Sequence, residues 1–181
     1  MTANRSPYPW SLPVRLEDVP ETGRRLTLSA DDRTRDAVAA VAGLRSLPRL
    51  DVTFDLARHG RDGLRVTGEV SATVGQTCVV TLELMESEVT EVLDLVFKPA
   101  QALVEGEGRE AVIDPAVEES EPLIDGTVDL GALATEFLIL GIDPYSRKPG
   151  AVFEPPPASA ASPGPFAALA ALQKNRRPGR S

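Results

Sequence analysis

LDVTFDLARHGRDGLRVTGEVSATVGQTCVVTLELMESEVTEVLDLVFKP, residues 50–99, decides the fold, because its apolar residues recur at every second position. Val52, Phe54 and Leu56 alternate with Thr53, Asp55 and Ala57. After the turn RHGRDG, Leu64, Val66, Val70 and Val74 alternate with Arg65, Thr67, Glu69, Ser71 and Thr73. Cys78, Val80, Leu82 and Leu84 then share a face, with Val79, Thr81 and Glu83 on the other. MESE reads as a turn, and Val89, Leu93, Leu95 and Phe97 as the next strand, which Pro99 ends. The pattern predicts four strands on short connections with one buried face: an antiparallel meander or a partial barrel.

Working outward, PWSLPVRLEDVP reads as a first strand, with Leu12, Val14 and Leu16 alternating against polar neighbours. RRLTLSADDRTRDAVAAVAGL changes period, which predicts a helix. Ser29 is its expected N-cap, Val38, Val41 and Ala42 its apolar face, and Gly43 its end. Residues 100–126 hold eight acids and three glycines, and read as an acidic loop with at most one short strand at EAVI. VDLGALATEFLILG is the clearest helix, capped by Asp129, with Leu130, Leu133, Phe137 and Leu140 at helical spacing and Gly141 closing it. The stretch from Ile142 to Pro165 is proline-rich and reads as a linker. PFAALAALQKNRRPGRS follows, its Phe166, Leu169, Ala170 and Leu172 tracing a stripe on a short helix that needs a surface to dock on. The expected class is α+β, with two to three helices and an extended C-terminal tail. One domain spans 1–150, and linker, short helix and basic tail occupy 151–181.

Composition narrows the chemistry. The 181 residues include one cysteine, so an intrachain disulfide or a multi-cysteine metal site is excluded and a reducing compartment fits. No stretch approaches 18 consecutive apolar residues and the start lacks an apolar signal core, so a soluble, cytoplasmic protein is expected. Residues 1–65 carry 11 Lys/Arg and 9 Asp/Glu, whereas 66–172 carry 4 against 18. An acidic body repels phosphate backbones and suits a basic partner. The tail, with Lys174, Arg176, Arg177 and Arg180, is the exception and the candidate for RNA contact.

A nucleophilic Cys78 needs a lowered pKa and usually a histidine base. The only histidine, His59, lies in a hairpin turn two strands upstream. Cys78 shares its predicted face with Val80, Leu82 and Leu84, so it reads as a small buried hydrophobe. The carboxylates Glu105, Glu107, Glu118, Glu119 and Glu121 have no partner base, and general acid–base work needs fixed geometry. No phosphate-binding glycine loop or Ser/His/Asp set occurs. Two features are left. Asp143, Tyr145, Arg147 and Lys148 cluster in one loop, either a linker turn or a contact surface. The terminal helix, with Phe166, Leu169 and Leu172, either packs on its own domain or docks on a partner.

CVVTLELMESEVTEVLDLVFKP, the acidic loop, IDGTVDLGALATEFLILGIDPYSRKP and GPFAALAALQK, in that order and spacing, resemble the YceD family of large ribosomal RNA subunit accumulation proteins. The resemblance covers roughly residues 64–174, and the first sixty only in general layout. The family pattern has a C-x-x-C pair where this chain reads Cys78-Val79-Val80-Thr81, and some members carry later cysteines that would complete a zinc site. A single thiolate cannot supply the three or four protein ligands that zinc takes, so the resemblance implies a metal-free branch with no cofactor. It also implies a non-enzymatic role in the synthesis, processing or stability of large-subunit rRNA, with a large-subunit ribosomal protein, the rRNA precursor, or both as partner. Two rivals stay open: an acidic adaptor unrelated to ribosomes, and a thiol-based redox or enzymatic role at Cys78.

Overall fold

The computed structural model describes residues 8–99, 120–153 and 155. Within them the order is β1 (Pro13–Arg15), one 3-10 turn (Leu16–Asp18), β2 (Arg24–Ser29), α1 (Asp32–Ala42), β3 (Ser46–His59), β4 (Gly63–Thr77) and β5 (Leu84–Pro99). Then come β6 (Glu121–Leu123), β7 (Thr127–Asp129) and α2 (Leu130–Gly141). The class is α+β, with two helices among the described residues and mostly antiparallel pairing. Strands β2 to β6 form one sheet in chain order, antiparallel from β2 through β5, with β6 added parallel to the end of β5. β1 pairs with β7 in a second, two-stranded sheet. Among the described residues the five-stranded sheet is open: β2 and β6 are its edges and no barrel closes.

The alternation predicted for β3 and β4 sets which face is buried. Val52, Phe54, Leu56, Leu64, Val66, Val70 and Val74 all face the core, as do Val89, Leu93 and Phe97 of β5. Register makes this collective, because Leu56 lies opposite Val66, and Val66 opposite Leu95. Each fully buried side chain of this size stabilises by about 1.5–3 kcal/mol. α1 and α2 cover that face, while Thr53, Asp55, Glu69, Thr73, Glu88 and Asp94 point the other way.

Expectations about elements change in four places. Arg24–Ser29 is a strand, not the approach to a helix, with Leu26 and Leu28 packed against the core. Ser29 therefore does not cap α1; its hydroxyl donates to Asp51 Oδ1 at 2.6 Å. Asp31 is the cap, accepting from the Thr34 N–H at 2.8 Å. Gly43 ends the helix in the left-handed region as expected, at φ 68°, but the buried residues of α1 are Val38 and Ala39, with Val41 exposed.

The second helix is capped as expected. The Asp129 carboxylate accepts from Gly131 N and Ala132 N, each at 3.1 Å, and reaches back to Leu12 N at 2.8 Å. Its buried face, however, runs through Leu130, Gly131, Ala134, Thr135 and Leu138, with Leu133 and Phe137 half-buried and Leu140 exposed. Small residues at 131 and 134 let the helix lie close: a Cβ on Gly131 would sit 2.8 Å from the Trp10 carbonyl.

Third, 120–126 is not loop throughout, since it holds β6 and a tight turn with positive φ at Asp125 and Gly126. Residues 100–119, including EAVI and the acids Glu105, Glu107, Glu118 and Glu119, lie outside the described residues. Fourth, the turn expected at MESE is strand. Met85–Glu88 belongs to β5, and the chain reverses earlier, across Cys78–Glu83.

Candidate functional site: a loop clamped on the β4–β5 turn

The reversal between β4 and β5 uses six residues with no glycine or proline among them. It closes by main-chain bonds, Cys78 N–H to Glu83 C=O at 2.9 Å and Leu82 N–H to Cys78 C=O at 2.9 Å. Leu82 sits in the left-handed region at φ 60°, unusual for a leucine. Leu82 and Leu84 are 77% and 72% exposed, so the expected apolar face Cys78–Val80–Leu82–Leu84 does not exist. The alternation in sequence continues through a stretch where the backbone does not.

Partners for the turn arrive from the chain that follows α2. Residues 142–150 were expected to act as a linker, yet they lie along the turn and the end of β4 and bond to them four times. Gln76 Nε2 donates to the Asp143 carbonyl at 2.9 Å, and Val79 N–H to the Ser146 carbonyl at 3.1 Å. Lys148 N–H donates to Cys78 Sγ at 3.3 Å, and Lys148 Nζ reaches Glu83 Oε2 at 2.9 Å. Asp143 shapes the loop itself, its carboxylate accepting from Tyr145 N–H at 2.8 Å. Ser146 is buried in the process.

Cys78 is fully buried, as expected, but not as a small hydrophobe within a strand. Its sulfur accepts main-chain N–H bonds from Lys148 and, at 3.5 Å, from Thr81. Those donors hold the charged form, and the thiol is lowered from 9.0 to about 6, with the Lys148 N–H the largest cause. Glu83 is likewise held below the usual carboxylate range by Lys148. His59 ends β3 beside the β3–β4 turn, at the far end of β4 from Cys78. Among the described residues no three His, Cys, Asp or Glu side chains gather in a way that could hold a metal ion.

Of the loop residues singled out from sequence, Asp143 and Lys148 are occupied in building the clamp. Tyr145, 72% exposed, and Arg147 remain on its outer surface, flanking Ser146, whose carbonyl takes the N–H of exposed Val79 of the turn. Gln76, Glu83 and Ser146 were missed. Only the opposite charges of Glu83 and Lys148 could have hinted at them, and nothing in their spacing pairs them. Phe166, Leu169, Leu172, Lys174, Arg176, Arg177 and Arg180 lie outside the described residues. No described helix is long and apolar enough to cross a membrane.

No curated protein and no solved structure matches the chain. The family model described as Large ribosomal RNA subunit accumulation protein YceD matches residues 66–173, from within β4 through β5, α2 and the clamping loop. That match spans more than half of the 181 residues, and the chain belongs to the YceD family.

Proposed function

We propose that this protein is a non-enzymatic, cytoplasmic factor in large ribosomal subunit biogenesis. It supports synthesis, processing or stability of large-subunit (23S) rRNA through contacts with a ribosomal protein, the rRNA precursor, or both. The observation that carries the reading is the family match over residues 66–173. Charge supports a basic protein partner for the body, since residues 66–172 carry 18 acids against 4 cations. The four cations of the tail suit phosphate. The non-enzymatic reading is supported by the burial of the Cys78 sulfur and by the position of His59 at the far end of β4; a lowered thiol with no base beside it and no access does not make a nucleophile. Asp143 and Lys148 act as builders of the loop, and Tyr145 and Arg147 as its contact residues.

Crosslinked affinity purification from growing cells, reading RNA and protein together, tests this. Precursor large-subunit particles, 23S rRNA or a large-subunit ribosomal protein should be enriched over a tag-only control. Depletion of the protein should lower 23S relative to 16S rRNA. Enrichment of unrelated proteins with no ribosomal component, and an unchanged rRNA ratio, would overturn the proposal in favour of an acidic adaptor.

A further inference from the structure

The outer edge of β5 has the geometry of a strand-accepting site. β5 runs for 16 residues and pairs with β4 in a register that does not shift from Leu64↔Phe97 to Thr77↔Leu84. On its other side β6 pairs only with Phe97, Lys98 and Pro99, and no other described strand pairs there. An antiparallel ladder alternates residues bonded to the partner strand with residues turned away from it. The Cys78 N–H to Glu83 C=O bond sets the phase. It turns the main-chain groups of Glu86, Glu88, Thr90, Val92 and Asp94 outward, away from β4. Long regular edges are normally blunted by proline, lysine or a bulge. Between Leu84 and Phe97 there is no Pro, Lys, Arg or Gly, and the register is unbroken.

We infer that this edge accepts an extended, basic segment of a partner polypeptide as an added antiparallel or parallel strand. Charge selects the occupant. Glu86, Glu88 and Asp94 on the exposed face of β5, and Glu91 on the face toward α2, give the stretch four acids and no cation. Glu88 and Asp94 are bound across the sheet by Arg49 and Arg65, at 2.6 and 2.7 Å. Glu86 and Glu91 have no ion-pair partner among the described residues. A second copy of the chain would set like charges opposite one another, which is destabilising. A basic strand would set Lys or Arg against them while its main chain takes up the outward N–H and C=O groups. Exposed Val92, midway along the edge, gives the added strand an apolar contact. The inference stands on the sheet and does not require the ribosomal role.

The test uses the full chain and a fluorescent acetyl-(Lys-Val)5-amide peptide, read by anisotropy. Saturable binding is expected, weakened at least tenfold when every peptide nitrogen is methylated, which keeps the charge and removes the donors. (Glu-Val)5 should not bind. Val92→Pro should weaken binding at least tenfold with the thermal midpoint little changed, because its N–H faces away from β4. If that variant does not fold, Thr90→Pro serves, and hydrogen exchange on the unmodified protein decides independently. There the amides of Glu86, Glu88, Thr90, Val92 and Asp94 should exchange fast when free and slow with peptide. Equal binding of the methylated peptide, no saturable binding, or outward amides already protected in the free protein would each overturn the inference. The last result would mean that the chain itself or a second copy occupies the edge.

Discussion

Strand β4 ends in two turns that are built in opposite ways. At one end the β3–β4 turn, Gly60–Asp62, is short and self-contained: Gly60 takes φ 62°, and Gly63 packs tightly between two backbones. At the other end the six-residue β4–β5 turn has no glycine, puts a leucine at φ 60°, and takes partners from residues 143–148. The first turn is specified by the residues inside it. The second is specified by what docks on it, so its conformation depends on a segment more than 60 residues away. A surface assembled from two distant segments can present Val79 with Tyr145 and Arg147, which neither segment could do alone.

The sharpest way to break this contrast is at Gly63. A Cβ there would lie 2.6 Å from the His59 carbonyl oxygen and 2.9 Å from that of Phe97, both main-chain atoms of paired strands. No rotamer relieves a clash that begins at Cβ. Gly63→Val should therefore destabilise by roughly 2–3 kcal/mol, as overpacking of a tight site does. Urea unfolding measures it, and a loss within experimental error would show that the local turn has slack it is not expected to have.

A paired substitution sharpens the contrast at smaller scale. Gly60→Ala meets no atom within 4 Å but needs the left-handed region, and should cost about 1 kcal/mol. Leu82→Gly relieves the same conformation while losing almost no buried surface. It should be neutral or stabilise by about 0.5 kcal/mol once the added backbone freedom of glycine is offset. If Leu82→Gly destabilises more than Gly60→Ala, the leucine side chain holds the turn, and the clamp alone is not sufficient.

The same asymmetry explains what the chain reveals before its structure is known. β3, β4 and the Asp129 cap were legible because period-two burial and a carboxylate before a leucine-rich run are local signals. RHGRDG was legible because its glycines are the turn. The β4–β5 turn was not, since TCVVTLEL alternates as a strand would and carries no breaker; main-chain bonds within Cys78–Glu83 and the bonds it makes to Ser146 and Lys148 reverse the chain there. MESE, with three polar residues in four, drew the turn assignment instead. The loop after α2 was misread for the complementary reason. Pro144 and Pro149 suit an unattached linker as well as a pinned, extended one, and only contacts with β4 and its turn distinguish them. β6 and β7, three residues each, are too short to show a period at all.

Cys78 offers the finest test, because pH changes the clamp without changing a residue. The folded thiol is lowered to about 6 from an ordinary 9.0, so between those values the folded state holds the thiolate and the unfolded chain still binds a proton. Where the unfolded state binds more protons, stability rises with pH. The thiolate's contribution is fully present above about 9 and lost as pH falls through about 6. Urea midpoints taken across that window should climb in the wild type, and Cys78→Ala should flatten the climb. Every other group is common to both proteins and cancels in the difference. Identical slopes would mean that the Lys148 and Thr81 N–H groups do not favour the charged sulfur, and that the turn is held by Ser146 and Glu83 instead. A difference confined to that window would tie the clamp to a single atom, the sulfur, which touches both of the segments that build the surface.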